Sequence, residues 1–413
     1  MFGTRSEKRI GLVVLMLWAS CSVSSVSAAT PPQHDLKTYS LPTNTNSADF
    51  SPDERMVVTE NTEKEDQVDY ARFRELVQLW DFRAGTLVRE SVLQDTRLSR
   101  TEKKNYPSSF LQPRFARFSA DGSLIAAYID HSLFVLRASD LSLVNRVSVS
   151  GPSGPVHTYR GTTFVENAVV RDVELSPQHD LVALLWVRKM VFGRVEVYDL
   201  ASGKQLAAWD TPQGWFHSDH GLAWHPNGEV LVLAVPNQTP CSSPDNTPDV
   251  FAFEARSGTL RAKLTTGLLV GGIAVTADDR LLAVDADCMR VFKDHDPKLR
   301  VFNLNTGKRL QEIPGRGTGI RYAVSVSRNG QRFIAFTGKM KVKFDWTDLV
   351  SHDVLIDKTF SVWNLSDYTG VVTSPNIDGL VPSSLTLSPQ GHFALSFGSN
   401  PHANGASNVY ELP

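Results

Sequence analysis

Six consecutive residues, Trp215-Phe216-His217-Ser218-Asp219-His220, gather two aromatic rings, two imidazoles and a carboxylate. Imidazoles donate, accept and titrate near neutral pH, and large rings supply contact area at low entropic cost. Trp215, Phe216, His217 and His220 therefore form a candidate binding site for a protein or a glycan. Their spacing matches no specific metal-ligand pattern, and packing of the two rings over a neighbouring element is the plain structural alternative. A second stretch carries Asp285, Asp287, Asp294, His295 and Asp296. Oxygen ligands at that density suit a hard cation, but the fixed steps of Asp and Gly that build an EF-hand are missing, and a solvated acidic loop accounts for them more simply. Catalytic signatures are absent: there is no Gly-x-Ser-x-Gly elbow, no phosphate-cradling Gly-rich loop and no His-Glu-x-x-His. No metal, cofactor or catalytic residue is expected on this ground.

Charge and targeting narrow the setting. Lys and Arg number 42 against 44 Asp and Glu, a formal net charge of −2, which leaves no basic field for nucleic acid. Arg5, Lys8 and Arg9 precede an apolar run from Ile10 to Ala19, and small residues follow, with Val26 and Ala28 at the two recognition positions of a signal peptidase. The reading is a secretory signal peptide over residues 1–28, leaving residues 29–413 as one domain in the periplasm or secreted from a bacterium. The run is about half the ~20 apolar residues that a spanning helix needs, so no transmembrane segment is expected. The stretch Leu17-Trp18-Ala19-Ser20-Cys21 also resembles a bacterial lipobox, which implies a lipid anchor at Cys21; Trp18 stands where that pattern has Leu. Cys241 and Cys288 remain in the folded part, an even pair that an oxidising compartment makes a candidate disulfide.

What positions these groups is a repeat. A strand ending in a turn of the type Ser-Pro-Asp-Gly recurs from Ser51, Ser119, Ser176, His225, Thr276, Ser327 and Ser388. A short apolar strand follows each turn, as in Leu124 to Tyr128 and Leu181 to Trp186. Further on comes an alternating strand ending in Trp-Asp or similar, such as Val77 to Asp81 and Val195 to Asp199, with the period of two that a half-buried strand requires. Tight Gly turns such as Ala201-Ser202-Gly203-Lys204 lead to a fourth strand.

Seven such units in register resemble the WD40-like propeller repeats of bacterial proteins. The resemblance covers about residues 35 to 413 and implies an all-β, seven-bladed propeller of four-stranded antiparallel blades. The Gly-His pair of eukaryotic WD40 blades is missing. The seventh unit ends after its third strand, and the segment Leu36 to Leu41 is placed to supply the fourth and close the ring. In such a ring the first-to-second and third-to-fourth turns share one face, and here they are short. The longer connections, including Glu60 to Arg74, Thr211 to His220, Asn237 to Asp249, Asp285 to Lys298 and Gly338 to Lys358, share the other, which is the expected working face. There Cys241 and Cys288 fall in neighbouring loops. Across the first unit, the acidic stretch Glu60 to Asp69 is expected to face the basic stretch Arg97 to Lys104. The architecture hosts many activities, so it implies an exported binding scaffold for a protein or glycan, with a lactonase- or quinoprotein-type enzyme and a structural envelope component as alternatives.

Overall fold

The computed structural model describes residues 31–41, 45–67, 69–99, 115–149, 151–152, 156–159, 162–165, 168–188, 191–214, 221–235, 249–268, 270–285, 298–313, 324–345, 350–374, 384–397 and 407–413. The repeated turn makes its own hydrogen bonds. In the first copy the Ser51 hydroxyl donates to Asp53 at 2.6 Å and accepts from the Met56 amide at 2.9 Å. Ser119 with Asp121, and Ser327 with Asn329, repeat the arrangement. In six of the seven copies, the third with His179 excepted, the fourth residue has a left-handed backbone, which Gly122, Gly228, Gly330 and Gly391 supply without cost. Glu54 (φ 57°) and Asp279 (φ 59°) adopt it with a side chain, at an energetic cost.

Each turn joins the first two strands of a blade. Blade 1 begins after a separate strand β1 (Thr38–Leu41) and holds β2 (Ser47–Phe50), β3 (Met56–Asp66), β4 (Tyr70–Asp81) and β5 (Thr86–Ser99). Blade 2 holds β6 (Phe115–Phe118), β7 (Leu124–Ile129), β8 (Ser132–Arg137) and β9 (Leu143–Ser148). A small hairpin, β10 (Val156–Tyr159) and β11 (Thr162–Val165), leads to blade 3, with β12 (Val169–Leu175), β13 (Leu181–Arg188), β14 (Phe192–Asp199) and β15 (Gln205–Asp210). Blade 4 is β16 (Leu222–Trp224), β17 (Val230–Ala234), β18 (Val250–Glu254) and β19 (Leu260–Leu264). Blade 5 is β20 (Val270–Val275), β21 (Arg280–Asp285), β22 (Leu299–Asn303) and β23 (Arg309–Ile313). Blade 6 is β24 (Val324–Val326), β25 (Arg332–Asp345), β26 (Val350–Asn364) and β27 (Gly370–Thr373). Blade 7 has β28 (Ser384–Leu387), β29 (Phe393–Phe397) and β30 (Ser407–Glu411), completed by β1 in the order β1-β30-β29-β28.

The seam of the ring is therefore antiparallel pairing of β1 with β30, from Thr38 opposite Tyr410 to Leu41 opposite Ser407. Residues just before β1 reach further round: the Thr373 amide donates to the Pro32 carbonyl at 2.7 Å, tying the segment to the outer strand of blade 6. On the turn side Glu54 completes the closure, accepting from the Gln390 amide and pairing with His392 Nδ1 at 2.9 Å, which gives its left-handed backbone a structural purpose. Seven apolar clusters lie between consecutive blades, and the last, with Leu41, Phe50, Trp80, Phe393 and Val409, joins blade 7 to blade 1. Burial between blades is what holds the circle. Among the described residues no helix is long and apolar enough to cross a membrane.

Two connections read from the sequence as loops are strands. Residues 60–66 and 70–74 continue the β3–β4 ladder down to Asp66 opposite Ala71, and β25 pairs with β26 as far as Asp345 opposite Val350. In blade 1 the outer strand follows, so β3, β4 and β5, of 11, 12 and 14 residues, form a three-stranded arm on the long-loop face. Because β4 lies between β3 and β5, the described part of the acidic stretch does not pair with Arg97 to Ser99, the described part of the basic one. Arg74 on β4 pairs with Glu63 at 2.8 Å and Arg72 with Asp95, while the Arg97 guanidinium stacks 3.9 Å above the Tyr70 ring.

Candidate functional site

The innermost strand of every blade is an edge, and its backbone N–H groups facing the preceding blade need acceptors. Side chains of the preceding blade supply several. Ser47 Oγ accepts from the Ala116 amide at 3.1 Å, Asp49 from Phe118 at 3.0 Å, Asp172 from Leu222 at 2.9 Å and Ser325 from Leu387 at 3.3 Å. Asp49 and Ser325 hold the position two residues before the first residue of the repeated turn, and Ser47 and Asp172 the position four before. The nearer position bears on the channel. In chain order it is occupied by Asp49, Arg117, Glu174, Ala223, Ala274, Ser325 and Thr386. Charge is concentrated in the first three blades.

Asp49, Arg117, Glu174, Ser325 and Thr386 line a cavity of about 230 Å³, whose wall also includes Ser176, Pro177, Arg328 and Pro389 of the repeated turns. It therefore lies at the tight-turn end of the central channel. Arg328 spans the mouth: it belongs to the turn of blade 6, and its Nη1 donates to the Ala120 carbonyl of blade 2 at 3.1 Å. Arg117 turns toward blade 1, its Nη1 donating to Ser47 Oγ at 3.0 Å and to the Ala48 carbonyl at 2.7 Å. Both carboxylates are only partly exposed, and burial raises them above the usual carboxylate range. For Asp49 the rise is opposed by Arg117, Arg328 and the Phe118 amide. Glu174 is pushed up to about 7, chiefly by burial, with Arg117 opposing and the Asp49 charge adding to the rise. The pair cannot both ionise freely in so narrow a space. Apolar side chains, including Leu222, Ile273 and Phe397, form much of the remaining wall.

The site residues singled out from sequence are not among these. Trp215, Phe216, His217 and His220, together with Asp287, Asp294, His295, Asp296, Cys21, Cys241 and Cys288, fall outside the described residues. Asp285 ends β21, its backbone opposite Val270. Among the described residues no group of three His, Cys, Asp or Glu side chains is placed to hold a metal ion. The channel cluster was not anticipated from sequence, although a signal existed: aligning the seven repeats on their turns puts Asp49, Arg117 and Glu174 at one shared position where the other four repeats have an uncharged Ala, Ser or Thr.

No family model matches the chain, and no curated protein does. Solved structures do. A chain of "Crystal Structure of Mitotic Checkpoint Complex" is similar with a TM-score of 0.55 and 13% identity, covering 94% of this chain and 98% of that one. A chain of the Kuenenia stuttgartiensis hydrazine synthase is similar with a TM-score of 0.57 and 12% identity, covering 92% and 97%. At such identity the likeness establishes the fold. Together with seven closed blades of four strands, it defines a WD40-like seven-bladed β-propeller. Propellers of this type serve as protein-binding scaffolds or as enzymes.

Proposed function

We propose that this chain is an exported, non-enzymatic scaffold that binds a protein or glycan through the long-loop face of the ring. The carrying observation is the arm of blade 1, which raises a rigid, mixed-charge surface on that face. Its rigidity has local causes: Ala71, Phe73 and Leu98 form a buried cluster of their own, and Tyr70 donates to Glu65 at 2.9 Å beneath the Arg97 stack. Ion pairs so exposed contribute little stability, so a charged surface of this extent serves recognition better than folding. The aromatic and imidazole groups at Trp215, Phe216, His217 and His220, in the connection between blades 3 and 4, are the proposed anchors. The Asp285 to Asp296 loop and a Cys241–Cys288 bridge are proposed for the same face.

The mature protein used as bait on its native envelope should retain a partner. A Trp215→Ala, His217→Ala double variant should melt as the unaltered protein does and bind that partner more weakly by about 2 kcal/mol, roughly thirtyfold. Equal binding would place the interface elsewhere. Intact-mass measurement after alkylation without reduction tests the setting. A chain starting at Ala29 with Cys241 and Cys288 unalkylated is the expected result, and a lipidated Cys21 at the N-terminus would replace the soluble form with an anchored one. A native chain still carrying Met1 would end the export reading.

A further inference from the structure

The channel cavity at the opposite, tight-turn end has not been assigned a role. We infer that it binds a primary ammonium group carried on an aliphatic stem, held by Glu174 and Asp49. The chemistry follows from which hydrogen-bonding capacity is left open. Both guanidinium groups are anchored through Nη1: Arg117 donates to Ser47 and to the Ala48 and Ala116 carbonyls, and Arg328 donates to Ala120. Asp49 accepts the Phe118 amide. The Glu174 carboxylate accepts no hydrogen bond among the described residues, while its backbone carbonyl is taken by Trp224 Nε1 at 3.0 Å. A part-buried carboxylate without donors is costly, and a ligand that donates recovers that cost. An anion could reach guanidinium N–H groups but would meet the two carboxylates, and butyrate is the control for it.

Shape agrees with charge. The cavity of about 230 Å³ corresponds to roughly eight water volumes, enough for a short alkyl chain and its head group. Leu222, Ile273 and Phe397 offer an apolar bed for the stem, and Ser325 and Thr386 add hydroxyl oxygens on the far side. Burial holds Glu174 partly protonated near neutrality, and the charged groups facing it are Asp49 on β2, Arg117 on β6 and Arg328 after β24. Binding of a cation favours the ionised carboxylate, so it releases a proton, and affinity rises as pH increases through about 7.

The test titrates the mature protein calorimetrically with n-butylamine hydrochloride, with butyrate and n-butanol as matched probes, between about pH 5.5 and 8.5, the window in which a group titrating near 7 changes charge. Saturable binding of butylammonium that strengthens with pH, and is weakened about tenfold or more by Glu174→Gln, is the expected result. Gln replaces a side chain that burial already drives toward its neutral form, so the variant should keep its melting temperature. Butyrate or butanol binding as well as the amine, no saturable amine binding, or an unchanged affinity in Glu174→Gln would each overturn the assignment. Should Glu174→Gln fail to fold, the probe series and pH slope of the unaltered protein decide alone. A lysine-containing peptide in the same titration separates two sources of the amine: tighter binding than butylamine points to a partner's side chain, equal binding to a free small amine, and both support the site.

Discussion

Leu41→Asp should leave no cooperatively folded protein at 37 °C, whereas Thr38→Asp, three residues earlier on the same strand, should melt within about 1 °C of the unaltered chain. Leu41 is fully buried at the seam between blades 7 and 1, against Phe50, Trp80, Phe393 and Val409. Truncating a core Leu to Ala alone costs about 2–5 kcal/mol, and a carboxylate placed there must also be desolvated without a partner. Against a total stability of about 5–15 kcal/mol, that loss is decisive. The side chain of Thr38 faces solvent, so a charge there disturbs only the surface. The effect should spread beyond the point of damage, because β1 is the outer strand of blade 7 while belonging to the other end of the chain. Hydrogen exchange should show β30 losing protection first in any variant that weakens the seam. Equal melting of the two variants would mean that the ring does not depend on this closure.

Trp186→Ala should be the most damaging truncation away from the seam, costing about 3–5 kcal/mol from its volume alone. Trp186 is fully buried between blades 2 and 3, and its Nε1 donates to Glu196 Oε2 at 2.9 Å, as does the Tyr198 hydroxyl. Glu196 is itself buried, so removing the indole opens a cavity and withdraws a donor from a buried charge. Trp186→Phe separates the two effects, since it keeps most of the volume and loses the N–H, and should cost about 1–3 kcal/mol. Gly151→Ala probes the same ring from outside, because a Cβ at Gly151 would sit 2.3 Å from Trp186 Cε3. Urea melts should show lower midpoints with unchanged slopes for Trp186→Phe and Gly151→Ala. A Trp186→Ala midpoint as high as that of Trp186→Phe would show that the cavity collapses without cost.

The two long hairpins mark where local reading stopped. Glu60 to Asp66 is polar throughout, with Thr62 its one β-branched residue and none of the alternating apolar residues by which strands are recognised, so it looked like a loop. It is a strand because Ala71 to Val77 pairs with it along its whole length and β5 then covers β4 from the other side. Pairing, a non-local event, overrode composition. Intervening β4 also supplies the ion partner of Glu63, Arg74, since neighbours in a sheet are set by strand order.

The seven turns, their flanking apolar strands and the missing fourth strand of the last unit were legible because each is a local pattern repeated in register, and repetition distinguishes a motif from chance. That periodicity determined the class of fold, the blade count and the closure by residues 36–41, because an unpaired strand at one end of a ring has one place to go. The channel cluster was decided by tertiary structure. Asp49, Arg117, Glu174 and Arg328 lie on four different strands or turns spread over 280 residues of sequence, and each by itself is an ordinary polar residue. Ring closure brings them to one axis, excludes most of the water around them and raises the two carboxylates together. Proximity across a closed circle and the desolvation it imposes are properties of the assembled blades, and no single repeat encodes them.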